Sequence, residues 1–184
     1  MRGALDQARN AWLAGEVPVG AVVMRAGQVI ATGYNRPITQ HDPTAHAELV
    51  ALRHAAHLLG NYRLPECEVY VTLEPCAMCA MGLLHARVKR VVYGATDPKT
   101  GAAGSVLNLF AEPRLNHHTR LEGGLLAEES GQLLRDFFAE RRARYRDRRG
   151  APPAEAADPI PTPDVLEVHE PDGRAAPNVG GGAR

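Results

Sequence analysis

Leu5, Ala8 and Trp12, with Ala4 and Ala11 beside them, recur at three- and four-residue spacing. That stripe predicts a core-packed helix over residues 2–15. The period then changes. Residues 19–24 and 28–33 are β-rich runs on either side of Arg25-Ala26-Gly27, a hairpin signal. Asp42-Pro43-Thr44 is a helix-start signal, and the apolar run behind it predicts a helix from Thr44 to about Leu59, stopped near Gly60. Residues 66–71 are strand-like, and a strand over residues 69–73 feeds Glu74-Pro75 and a helix over residues 76–86. A further strand covers residues 90–93. Strand, helix, strand in that order implies a parallel crossover and an α/β sheet. Ligands in such sheets collect at the carboxyl ends of strands, where helices begin.

Residues 94–105 are a glycine-rich loop containing Asp97, Lys99 and Thr100. Its glycine spacing is not that of a phosphate-binding loop. Residues 125–149 read as one helix, with Leu126, Leu133, Leu134, Phe137 and Phe138 on the buried side. Six arginines follow between Arg141 and Arg149. Such a run is either a solvated face or, with its adjacent aromatics, a surface for single-stranded RNA.

Composition changes the picture at the end of the chain. From Gly150 onward Ala, Pro and Gly dominate, which cannot bury enough apolar surface to order itself. Residues 1–149 are therefore expected to form one domain and residues 150–184 a disordered acidic tail. The formal net charge of zero hides an asymmetry. The tail holds six acids and two arginines, leaving 19 basic against 15 acidic residues before it, a net of +4. The tail's acidity is expected to compete weakly with RNA for the arginine-rich helix. Three cysteines argue against a disulfide scaffold and for a reducing, cytoplasmic compartment. No stretch approaches the length of a membrane span.

Two short segments carry candidate chemistry: His46-Ala47-Glu48 and, thirty positions on, Pro75-Cys76-Ala77-Met78-Cys79. One imidazole and two thiols make a three-ligand set for zinc. Three protein ligands leave a fourth position for water, the catalytic pattern. A carboxylate beside that water moves protons. Residues two apart on a helix point about 200° apart. His46 and Glu48 therefore converge only if a helix N-terminus points end-on at the site. Cys76 and Cys79 share a face, with Pro75 suited to the first turn. Two helix N-termini aimed at one point favour thiolate. Plainer readings are a redox Cys-x-x-Cys pair, for which a thioredoxin-like context is lacking, or a structural zinc site, which needs a fourth ligand. Cys67 reads as a reduced core or edge cysteine.

His-x-Glu followed by Pro-Cys-x-x-Cys resembles the zinc-dependent nucleobase deaminase signature. The chain further resembles the bacterial tRNA-specific adenosine deaminases. The resemblance runs through Glu16-Val17-Pro18-Val19-Gly20-Ala21, Tyr34-Asn35-Arg36-Pro37, His41-Asp42-Pro43-Thr44, Asn61-Tyr62-Arg63-Leu64, Val71-Thr72-Leu73-Glu74 and the stretch from Asp97 to Ser105. It covers nearly everything up to about Arg149, although relatives usually carry a few more residues ahead of the first helix.

The resemblance implies a three-layer cytidine-deaminase-like α/β fold, with a mixed five-stranded sheet flanked by helices. It implies one Zn2+ per subunit on His46, Cys76 and Cys79. It implies adenosine-to-inosine conversion at the wobble position of a tRNA anticodon, typically tRNA-Arg with anticodon ACG. Zinc-activated water would attack C6, with Glu48 as the proton shuttle. Asn35 would contact the substrate, Asp97 would lie near the target nucleotide and Lys99 on backbone phosphate. Arg63, Asn116, Phe138 and Arg142 would contact the anticodon stem-loop. A homodimer is implied, with residues 81–87 near its interface. The metal motif by itself does not separate this activity from deamination of free cytosine, cytidine or guanine, nor from a non-catalytic zinc module that binds RNA.

Overall fold

The computed structural model describes residues 1–150, of which Arg148 and Gly150 are described in the backbone only. The expected disordered tail and its competition with RNA lie outside the described residues. The elements run α1 (Arg2–Leu13), β1 (Gly20–Arg25), β2 (Gln28–Tyr34), α2 (Pro37–Gln40), α3 (Ala47–Leu59), β3 (Cys67–Leu73), α4 (Ala77–His85), β4 (Arg90–Ala95), β5 (Arg120–Glu122) and α5 (Ala127–Gly150). The five strands form one sheet in the order β2-β1-β3-β4-β5. β1 runs antiparallel to both β2 and β3, while β3, β4 and β5 are parallel, so the sheet is mixed as expected.

Two glycines explain the layering. Gly20 pairs with Tyr34 and Ala21 with Gly33 across β1 and β2, so Gly20 and Gly33 face opposite sides of the sheet. A Cβ on Gly20 would lie 2.2 Å from the Ala4 carbonyl oxygen of α1. A Cβ on Gly33 would lie 2.4 Å from the Ala47 carbonyl oxygen of α3. The two helices thus lie backbone-close on opposite faces. Gly82 of α4 packs on Leu49 of α3, which puts these two in one layer. Trp12 of α1 meets Phe137 of α5 edge to face at 5.6 Å and donates its indole N–H to Glu140 at 3.1 Å, which makes α1 and α5 the other layer. Val69, Val71 and Val91 are fully buried between.

The structure differs from the sequence expectations at five points. The helix expected from Thr44 begins at Ala47, because the Asp42 carboxylate accepts the Thr44 N–H and hydroxyl, both at 2.7 Å, and closes a local turn instead. Pro75 is not a first-turn residue; Cys76 caps α4 and Pro75 precedes the cap. The short α2, ended by His41 at φ +51°, and the three-residue β5 carried no periodic signal. Phe138 is 43% exposed while Phe137 is 5% exposed, since neighbours on a helix lie about 100° apart. Leu126, at φ +56°, lies ahead of α5 and outside its buried side.

Candidate metal centre and substrate-facing surfaces

His46 is the N-cap of α3 and Cys76 the N-cap of α4, each in extended conformation. Neither spends its side chain on capping its helix, so the imidazole and the thiol are left for each other. His46 Nδ1 lies 3.7 Å from Cys76 Sγ and 3.6 Å from Cys79 Sγ. All three donor atoms fall within 4.8 Å of one another. Tetrahedral zinc with bonds of about 2.05 Å to nitrogen and about 2.3 Å to sulfur has an N···S edge of about 3.6 Å. The donors therefore fit one zinc. Among the described residues no fourth His, Cys, Asp or Glu joins the group, which is the three-ligand arrangement and not the closed structural one.

The expected end-on geometry holds. Glu48 stands in the first turn of α3, only 4% exposed. Burial pushes its carboxyl up to about 7. The two thiols share their protons unequally. Cys76 is brought down to about 4 by the hydrogen bond to Cys79 and then by the His46 imidazole. Cys79 is pushed upward by the same bond to Cys76 and by burial. Asn35, buried at the end of β2, accepts the Ala47 N–H on its Oδ1 at 2.9 Å.

Sequence reasoning missed Glu74, between β3 and Cys76. It is 2% exposed. Its carboxylate accepts the backbone N–H groups of Asp97 and Ala103, each at 2.9 Å, that of Ser105 at 3.1 Å, and the Ser105 hydroxyl. Burial would raise its pKa, but these bonds overcome that and hold the carboxyl below its ordinary value. The available signal was a carboxylate two residues ahead of a ligand cysteine, at the end of an apolar strand. The partners lie 23 to 31 residues away, where no short-range pattern reaches.

The remaining candidates fall into separate groups. Asp97 spends its carboxylate on its own turn, accepting Lys99 N–H at 2.9 Å and the Thr100 hydroxyl at 2.6 Å, while Lys99 is exposed. Arg63 and Asn116 line one pocket of about 180 Å³ with Tyr62, Met81, His85 and His117. Phe138 and Arg142 line a cleft of about 580 Å³ on α5 with Tyr145 and Arg146. The arginine run is divided. Arg141 donates to the Gly15 carbonyl and lies over the Phe137 ring at 5.1 Å, and Arg144 pairs with Glu140. All four arginines are exposed, but Arg141 and Arg144 are engaged with other groups of the domain, whereas Arg142 and Arg146 face the cleft with Phe138 and Tyr145.

The family defined by the cytidine and deoxycytidylate deaminase zinc-binding region matches residues 1–95. The chain is 51% identical over 143 residues to the tRNA-specific adenosine deaminase of Haemophilus influenzae, covering 77% of this chain and 83% of that protein. A structure solved in studies of A-to-I editing by tRNA:A34 deaminases at the wobble position is 46% identical, with a TM-score of 0.69 over 71% of this chain and 95% of that one. A guanine deaminase from Nitrosomonas europaea is 26% identical, with a TM-score of 0.66 over 75% of this chain and 82% of that one.

Proposed function

The chain belongs to the cytidine and deoxycytidylate deaminase family and is a hydrolytic deaminase, and we propose that it converts adenosine to inosine at the wobble position of a tRNA anticodon. The finer substrate is tRNA-Arg with anticodon ACG. The observation that carries this reading is the convergence of His46, Cys76 and Cys79 beside buried Glu48, in a chain half identical to a tRNA-specific adenosine deaminase.

His46, Cys76 and Cys79 hold zinc in this reading. Zinc held there would supply Lewis acidity that makes a water easier to deprotonate. Glu48 takes a proton from the attacking water and delivers protons to the ring nitrogen and the departing amine. A C6–O bond forms, the C6–N bond breaks and ammonia leaves, so adenosine and water give inosine. Burial of Glu48 supports the role, because an enclosed carboxylate keeps its proton from bulk water. Ala47 occupies one lone pair of the Asn35 oxygen, so the amide N–H pair is the group Asn35 has most freely to offer the nucleotide. That suits an acceptor such as a purine ring nitrogen or a ribose oxygen. Lys99, Arg63, Asn116, Phe138 and Arg142 meet the anticodon stem-loop. The wobble base is already single-stranded, which keeps the cost of unstacking it to a few kcal/mol.

The chain acts as a homodimer in a reducing cytoplasm. The three described cysteines are free, and residues 81–87 flank the pocket that holds exposed Tyr62. No described helix is long and apolar enough to cross a membrane. The likeness to a guanine deaminase favours one rival, turnover of a free base. Incubation with tRNA-Arg carrying ACG and, separately, with free adenosine, cytidine and guanine tests both. Sequencing should read the wobble A as G in the tRNA. Ammonia released from the free compounds alone would overturn the proposal.

A further inference from the structure

We propose that Glu74 is a positioning residue for this reaction: its carboxylate clamps the 97–105 loop onto the strand end that delivers Cys76, and so fixes how that loop meets the RNA. The inference rests on the reading above, in which this loop faces the anticodon.

Glu74 continues the parallel ladder past β3, donating its backbone N–H to the Ala95 carbonyl at 2.8 Å. From there the carboxylate enters the loop. Four donors fill it: three backbone N–H groups and the Ser105 hydroxyl. An ionised carboxylate offers about four acceptor positions, so none is left for substrate. Among the described residues Glu74 has no ion-pair partner. Three backbone N–H dipoles and one hydroxyl balance its charge, and they come from both ends of one loop.

The loop is built to close over this group. A Cβ on Gly101 would lie 2.5 Å from Glu74 Cδ and 2.6 Å from the Asp97 carbonyl oxygen, so only glycine passes there. A second tether is independent of the carboxylate. Ala102 donates to the Pro75 carbonyl at 2.8 Å, and Cys76 pairs with Gly101 in an antiparallel bridge. The metal ligand thus keeps a support when the clamp is loosened. The loop itself loses the anchor that the Asp97, Ala103 and Ser105 amides share. Its outward features are exposed Lys99 and the apolar tip of Val106 and Leu107. Loosening should therefore act on RNA binding and leave the chemical step largely intact.

The test uses the full chain and an anticodon stem-loop RNA with adenosine at the wobble position. Glu74→Gln keeps the shape but presents an N–H pair to donors. The expected result is a KM raised about tenfold, kcat within about threefold of the parent, and one zinc per chain. Amide exchange at Ala103 and Ser105 should accelerate, while β3 and β4 stay protected. Unchanged KM and exchange would overturn the proposal, as would loss of kcat together with zinc, since Glu74 would then serve the metal centre. If Glu74→Gln does not fold, Ser105→Ala removes one donor only, and an unchanged KM in that variant is equally fatal. The parent protein run alongside separates the two readings. Absence of inosine there removes the proposed substrate, while the exchange data still report on the clamp.

Discussion

Asn35 caps a helix that its own N-cap residue leaves bare. His46 turns its imidazole to the thiols, and the Asn35 oxygen, from the end of β2, accepts the Ala47 N–H at 2.9 Å in its place. One side chain therefore secures the metal helix and, in the proposed function, also contacts the substrate. Asn35→Ala should cost about 1 kcal/mol in denaturant unfolding, as losing a cap does. It should also lower kcat/KM about three- to tenfold, the scale of one hydrogen bond. Asn35→Asp keeps the acceptor at the helix N-terminus and loses the donor. It should repeat the kinetic loss without the loss of the cap. Full activity in Asn35→Asp would show that the amide donor is not used.

Glu48→Gln should bind one zinc and stay folded, because the amide is isosteric and spares the burial of a charge. Turnover should fall by about two to four orders of magnitude, the usual scale for a lost proton-transfer group. Single-turnover conversion of an anticodon stem-loop, read beside metal analysis, checks both halves. Near-normal turnover would remove Glu48 from the mechanism.

Chelation should abolish activity and lower the melting temperature together. The three donors sit at the tips of α3 and α4, so a metal that binds only the folded chain adds its binding energy to stability. Zinc added back should restore both. A chain that keeps making inosine after complete metal removal would contradict the assignment of His46, Cys76 and Cys79.

Gly33→Ala tests how α3 is aimed. The new Cβ would meet the Ala47 carbonyl oxygen at 2.4 Å and the Ala51 nitrogen at 2.5 Å, both backbone atoms that cannot turn aside. The helix tip must shift, and with it His46. Overpacking of this kind costs about 1–3 kcal/mol. Zinc affinity should fall along with stability. Gly3→Ala, whose Cβ meets a Val22 methyl at an ordinary 3.6 Å, is the control: it should leave zinc affinity unchanged and stability equal or slightly raised, since alanine favours a helix over glycine.

These variants mark what could be read from the chain. His46, Glu48, Cys76 and Cys79 were legible because ligand chemistry is carried by residue type and short spacing. The end-on helix followed from the two-residue step between His46 and Glu48. The start of α3 was misread because an Asp followed by Pro and Thr suits a helix cap and a local turn equally, and here the turn prevails. Glu74 was invisible for the opposite reason. Its meaning lies in amides brought from another loop by the parallel pairing of β3 and β4. β5 is too short to show a period, and its place at the sheet edge depends on pairing with β4.

The arginines of α5 should separate into two kinds when mutated singly. Arg141 donates to the Gly15 carbonyl and stacks over Phe137, so Arg141→Ala should loosen α5 from α1 and lower the melting temperature. Arg142 and Arg146 are exposed and flank the cleft that holds Phe138 and Tyr145. Alanine at either should leave stability within about 0.5 kcal/mol, as surface changes usually do. Each should weaken binding of the stem-loop and flatten the dependence of log K on log salt by about 0.7 to 0.9, the change for one lost phosphate contact. Phe138→Ala should weaken binding by about 1–3 kcal/mol with no change in that slope, because a base stacked on a ring releases no counterion. Titrations at three salt concentrations distinguish these outcomes. If Arg142→Ala and Arg146→Ala leave both affinity and slope untouched, the arginine run is a solvated face and the RNA lies elsewhere.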